Sequence, residues 1–266
     1  MKIILSENQY DRLIESTEKK IIKLPPMEFF HGDTCSAWEL IKKFLESKND
    51  PYYTISGNLI LTSCDITNVG KLVKVKNLSL IESSVESLNY LQQVTGYIYT
   101  YRSKIKQLPE LEFVGGDFDA QNTPLEYLPK LTYVGGDCDL VDSEIKKLDN
   151  LKIVRGSLRL TNTKIKSLGI LEEVGKSLFL NHTDIKTLGN LTEVGANLFL
   201  SGSKIKSLGN LVSVGLDLDL SNTKITSFGK LNYVGRDLNL YDTKLGDNYS
   251  REEIREMIDV KGDIYK

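Results

Sequence analysis

The chain has 266 residues, 40% hydrophobic and 26% charged, the composition of a folded chain rather than a disordered one. Its 34 basic and 36 acidic side chains nearly cancel, so no overall field commits it to nucleic acid or to an anionic membrane. With only His31 and His182 to draw on, neither a histidine-rich metal site nor a Ser-His-Asp set is visible.

The opening MKIILSENQY holds a three-residue apolar run, Ile3 to Leu5, too short for a signal segment or a membrane span, and a cytoplasmic location is expected. Ser6-x-x-Gln9 and Ser36-x-x-Glu39 have the form of helix capping boxes. Trp38, Leu40, Ile41, Phe44 and Leu45 follow the second at helical spacing, and Pro25-Pro26 reads as the bend between two helices. Residues 1–50 are thus expected to form a helical N-terminal cap. Cys35, Cys64 and Cys138 make no CxxC pair and leave one thiol over in any pairing, which suits a reducing compartment and gives no expectation of cysteine chemistry.

From residue 51 to 248 the chain repeats. Units open at Tyr52, Leu72, Leu91, Leu111, Leu131, Leu151, Leu171, Leu191, Leu211 and Leu231, at intervals of twenty residues save one of nineteen. Apolar residues return at fixed places within each unit, as at Leu191, Val194, Leu198, Leu200, Ile205 and Leu208. Twenty residues leave little room for a helix, so one short strand per unit is expected, at Leu198-Phe199-Leu200 and its equivalents. Gly195, Gly215 and Gly235 would bend the chain into that strand through a positive φ. VGGDFDA at 114–120 and VGGDCDL at 134–140 then read as solenoid corners rather than phosphate cradles, because no helix start or Lys-Ser/Thr pair follows them. At the C-terminal end Ser250-x-x-Glu253 predicts a further helix, and Met257, Val260 and Ile264 repeat the spacing of Leu191, Val194 and Leu198, so 249–266 should be a cap helix and a closing strand.

The pattern L-x-x-V-G-x-x-L-x-L-x-x-T-x-I-x-x-L-G-x resembles a leucine-rich repeat, in particular the repeats of receptor L-domains. That resemblance implies a mainly β repeat solenoid with a parallel sheet of about ten short strands, and binding of another protein through the exposed strand face rather than catalysis. Hydroxyls at Ser83, Ser103, Thr123, Ser143, Thr163, Thr183, Ser203, Thr223 and Thr243 stand where such repeats usually carry Asn, which leaves a straighter, β-helix-like stack open. The first sixteen residues also resemble the start of small tailed-phage proteins.

On the outward positions of the expected strands lie Tyr97, Tyr99 and Tyr101, then Asp117 and Asp119, Asp137 and Asp139, Arg159, Phe179, Phe199, and Asp217, Asp219 and Asp237. Two readings follow: an acidic patch for a basic partner, and an aromatic surface rich in hot-spot residue types. A third places an anionic ligand along the edge formed by Lys104, Lys106, Lys146, Lys164, Lys166, Lys186, Lys204, Lys206 and Lys224. A fourth makes Asp117, Asp119, Asp137 and Asp139 the acid–base set of a β-helix carbohydrate-active enzyme, which a cleft over them would favour and a bare sheet would not. The preferred expectation is a non-catalytic scaffold without cofactor, binding a protein and neither nucleic acid nor membrane.

Overall fold

The computed structural model describes residues 21–25 and 34–266. Three strands and a helix open the fold: β1 (Ile22–Leu24), α1 (Thr34–Ser47), β2 (Tyr53–Ile60) and β3 (Leu72–Ser79). Sixteen two-residue strands, β4 to β19, then run from Gln93–Val94 to Leu238–Asn239, followed by α2 (Lys244–Asn248), α3 (Arg251–Met257), β20 (Asp259–Val260) and β21 (Ile264–Tyr265). All pairings are parallel, within one 21-stranded sheet. The chain is a parallel β-solenoid with a coil of about twenty residues.

Each coil contributes two strands rather than the single expected one. Glu193–Val194 pairs with Glu173–Val174 and Ser213–Val214, forming a first column; Leu198–Phe199 pairs with Leu178–Phe179 and Leu218–Asp219, forming a second. A third line of contact consists of single bridges, Ser87 to Gln107 to Tyr127 to Lys147 to Ser167, and Thr187 to Ser207. The coil is therefore three-sided in its pairing, and the apolar positions point inward. Leu191, Val194, Leu198, Leu200, Ile205 and Leu208 are all buried, as are their counterparts in neighbouring coils. The first paired residue is Tyr53, facing Leu72, one position beyond the Tyr52 that the repeat suggests.

The glycines between the two columns act by a different cause from the expected one. Gly195, Gly215 and Gly235 are not in the left-handed region. A Cβ on them would stand 2.1, 2.1 and 2.0 Å from the carbonyl oxygens of Gly175, Gly195 and Gly215, so it is the close approach of successive coils that excludes a side chain. Positive φ occurs instead at Gly169, Gly189, Gly209 and Gly229 in another corner, and at the turn after the second column. Asn122, Asp142, Asn162, His182, Asn222 and Asp242 adopt it, which gives His182 a conformational place in the fold. The next residue is the recurring hydroxyl of the repeat. Thr123, Ser143, Thr163, Thr183, Thr223 and Thr243 are buried and donate to the carbonyl three residues back, at 2.6 to 2.7 Å, closing the turn.

The ends depart from expectation in several places. Residues 22–24 form a strand, so Pro25 directly follows β1; Ser6, Gln9 and Pro26 lie outside the described residues. Helix α1 is already under way at Ser36, and its buried stripe is Ala37, Trp38, Ile41 and Leu45. Leu40 and Phe44 fall on its outer side at 54% and 41% exposure. Cys35 and Cys64 form a disulfide between α1 and the segment after β2, which overturns the expectation of inert thiols, while Cys138 is buried and free. Ser250 and Glu253 do form a reciprocal capping box at the start of α3. Met257 is exposed and Ile258 is buried in its stead, because the chain leaves the helix there and turns Ile258, Val260 and Ile264 inward. Among the described residues, no helix is long and apolar enough to cross a membrane.

Candidate binding face

The second column positions the predicted face. Its inward residues, such as Phe118, Cys138, Leu158, Leu178 and Leu198, are fully buried, and burial drives the Cys138 thiol pKa far up. The residue before each of these and the residue after it project outward, and they have different roles.

The position before the inward residue is a hydrogen-bonding ladder. The carboxylate of Asp117 accepts from the backbone N–H of Asp137 at 2.8 Å, Asp137 from that of Ser157 at 2.8 Å, Asp217 from that of Asp237 at 3.2 Å, and Asp237 from that of Asp263 at 2.8 Å. Neutral acceptors hold the same place: Asn77 takes the N–H of Tyr97, Ser177 that of Asn197, and Asn197 that of Asp217. What the column needs is an oxygen for the next coil's amide at the corner, and charge is incidental to that need. Asp119, Asp139 and Asp219, at the position after the inward residue, accept from the N–H two residues on, in Gln121, Val141 and Ser221. These are Asx turns that steer the chain off the strand. Every predicted aspartate of the face is thus engaged with backbone.

Part of their charge is also answered within the chain. Arg159 reaches Asp137 at 3.1 Å and Asp139 at 3.9 Å, and Arg236 binds Asp217 through two nitrogens. Burial would raise the Asp137 pKa, but the Ser157 amide and Arg159 outweigh it and hold the group below the usual carboxylate value. Arg236 above all lowers that of Asp217. Asp139, more deeply set, is raised by burial and by the nearby Asp119 charge.

No such backbone role falls to the aromatic residues. Phe179 and Phe199 stack with ring centres 5.1 Å apart, and the Arg159 guanidinium lies 5.4 Å from the Phe179 ring, giving a continuous Arg-Phe-Phe strip on three successive coils. All three are half-buried. Tyr97 and Tyr99 stack at 4.4 Å, and the Tyr99 hydroxyl pKa is raised by burial and by Asp117. Tyr101 lies past the end of its strand, under the Arg102 guanidinium.

The first column carries a second strip that the repeat pattern treats as variable. Phe113 and Tyr133 stack nearly parallel at 5.2 Å, and Ile153 is next in register. The Phe113 ring lies 3.3 Å from where a Gly115 Cβ would be, and Tyr133 stands likewise over Gly135, so these rings cover the side-chain-free corners. The sequence signal was the apolar residue directly before the buried valine in EFVGG and TYVGG.

On the turn edge the lysines divide. Lys106, Lys146 and Lys204 pair with Glu86, Glu126 and Asp184 one coil back, at 2.8, 2.6 and 2.5 Å, and Lys164 pairs with Glu144. Among the described residues Lys166, Lys186 and Lys206 form no ion pair, and they stand on successive coils. A shallow concavity of about 330 Å³ on this side is lined by Glu86, Ser87, Lys106, Gln107, Glu126 and Tyr127, away from the aspartates. Comparison of the chain with protein-family models, with curated proteins and with solved structures gives no match.

Proposed function

We propose that the chain is a non-catalytic binding solenoid that holds another protein against the second-column face, with Arg159, Phe179 and Phe199 as its centre and Tyr97 and Tyr99 as an outlying contact. The observation that carries this reading is the Arg-Phe-Phe strip. It sets aromatic and guanidinium groups, the types that dominate binding hot spots, on a face whose outward aspartates are occupied by the fold. The leucine-rich-repeat resemblance and a phage origin belong to the same proposal, since open-faced repeats act by recognition, whereas the Cys35–Cys64 disulfide weighs against the cytoplasmic setting expected from the sequence.

The experiment compares full-length variants in capture from the native host, with bound proteins identified by mass spectrometry. Phe179→Ala with Phe199→Ala should keep the circular dichroism of the parent and lose its specific partner, because truncating a desolvated aromatic anchor commonly costs ~2 kcal/mol or more. Replacing Lys166, Lys186 and Lys206 by Gln should change capture little, since an exposed charge is worth ~1 kcal/mol or less. The unpaired state of those three lysines favours one rival reading, an anionic ligand along the turn edge. Loss of the partner in the lysine variant with retention in the aromatic variant would install that rival.

A further inference from the structure

A parallel solenoid has an end at which the hydrogen-bonding pattern stops, and the carbonyls left there invite another strand. In the first column the pattern is regular. Gly195 and Ala196 N–H donate to the carbonyls of Val174 and Lys176, Gly215 and Leu216 to those of Val194 and Ala196, Gly235 and Arg236 to those of Val214 and Leu216, and Lys261 and Gly262 to those of Val234 and Arg236. The next carbonyls in these two series are Val260 and Gly262, and among the described residues β20 pairs with β18 alone. Both are taken by one side chain: Arg255 donates from Nη1 to Val260 at 2.5 Å and from Nη2 to Gly262 at 2.6 Å.

We infer that Arg255 is a stop residue, whose guanidinium takes the place of two amides of a pairing strand and so masks the outer edge of β20 against pairing with a second copy of this chain. The chemistry suits the place. A guanidinium offers paired N–H donors in one plane and no acceptor, which matches two carbonyls aimed the same way. Its position is fixed by α3, which begins at the Ser250–Glu253 capping box and is anchored by Ile254, fully buried beside it. Lys266 Nζ donates to the carbonyl of Tyr249, the residue between α2 and the Ser250 cap of α3, at 2.5 Å and ties Lys266 to that junction.

Among the described residues, no side chain seals the second column in this way. In the coil before, Leu238 and Leu240 N–H donate to the carbonyls of Asp263 and Tyr265, and by the same register Ile264 and Lys266 direct their own N–H groups beyond β21, where no strand pairs. Tyr265 and Met257, 49% and 45% exposed, add apolar surface at this end. With the guanidinium gone, the end therefore presents both acceptors and donors to another edge; Arg255 closes the Val260 and Gly262 acceptors, while the third bond each coil makes in this column, as from Asp259 N–H to Asn232, lies outside its reach.

The test uses the full chain and Arg255→Met, which keeps much of the stem and removes the donors. The molar mass of each is followed by sedimentation or light scattering across a wide concentration range, and backbone amide exchange is mapped. The parent should remain at the mass of one chain, whereas the variant, with the parent's circular dichroism, should rise with concentration to at least twice that mass and gain protection at residues 260–266. A variant that stays single at every concentration overturns the inference, as does a parent that already pairs through this end or protection gained only at the Phe179–Phe199 strip. Should the variant fail to fold, the parent alone decides through the nitrogen-15 resonances of Arg255 Nη. A guanidinium held by two carbonyls gives resolved, slowly rotating signals, and averaged signals like those of a free arginine refute the stop.

Discussion

Replacing Asp137 by Ala and by Asn separates the ladder from a charged patch. In the parent one carboxylate oxygen accepts from the Ser157 N–H at 2.8 Å and the other from Arg159 at 3.1 Å. Ser157 is 6% exposed, so the Ala variant leaves its amide without an acceptor and with little access to water; such an orphan costs about 1–3 kcal/mol. The ion pair adds little, because both side chains are about one-third exposed, and such pairs are worth ~1 kcal/mol or less. Asn keeps an acceptor oxygen, as Asn197 does for Asp217 at 3.1 Å, so Asp137→Asn should cost less than ~1 kcal/mol. Urea unfolding with matched slopes gives the two values, and amide exchange at Ser157 gives the local readout: protection lost in Ala and kept in Asn. The folded-state pKa of Asp137 lies below its unfolded value, so the stability it contributes is present above about pH 4 and is lost as pH falls through the folded value. The gap between parent and Asn variant should accordingly narrow in acid. Equal destabilisation by Ala and Asn, or a protected Ser157 amide in the Ala variant, would refute the ladder.

Two further substitutions probe the core and the N-terminal end. Leu160→Ala, at a fully buried site in mid-stack, should cost ~2–5 kcal/mol in denaturant titration, since packed coils on either side limit collapse of the cavity; a curve that overlays the parent would show that the inward column is misplaced. Cys35→Ser opens a cross-link of sequence separation 29, for which chain entropy alone gives about 3–4 kcal/mol. Its effect should appear as faster amide exchange in α1 with the mid-stack coils unchanged, and uniform loss across all coils would refute a local role.

The period was legible because six apolar columns recur at one interval, and a residue such as Leu198 has the same inward role as Leu178 and Leu218. The second strand was not, because Glu193–Val194 contains a single inward residue and so shows no alternation. Asp117 and Asp137 looked like a charge cluster because the group they serve is a backbone amide twenty residues away, which a local pattern does not display. The clue lay in the column itself, where Asn77, Ser177 and Asn197 share the position, so that its common property is an acceptor oxygen. Gly195 illustrates another limit: the absent side chain was readable, but whether φ or crowding forbids one depends on the coil beneath. Cys35 and Cys64 could not be paired on paper, because only the packing of α1 on the first coils brings them together.

The equivalence of the coils also makes this molecule a ruler whose length can change by whole divisions. In the regular coils the backbone bonds recur from coil to coil, so the carbonyl of Val174 meets Gly195 in the same way that Val194 meets Gly215. A crossover between misaligned copies of the gene could remove or add one twenty-residue division and leave each remaining junction chemically familiar. The strip of Arg159, Phe179 and Phe199 would not be so indifferent, because its spacing is counted in coils: loss of 191–210 would seat Asp219 against Phe179. Fold and recognition thus tolerate different edits, and a lineage can lengthen the rod freely only outside the divisions that carry the strip.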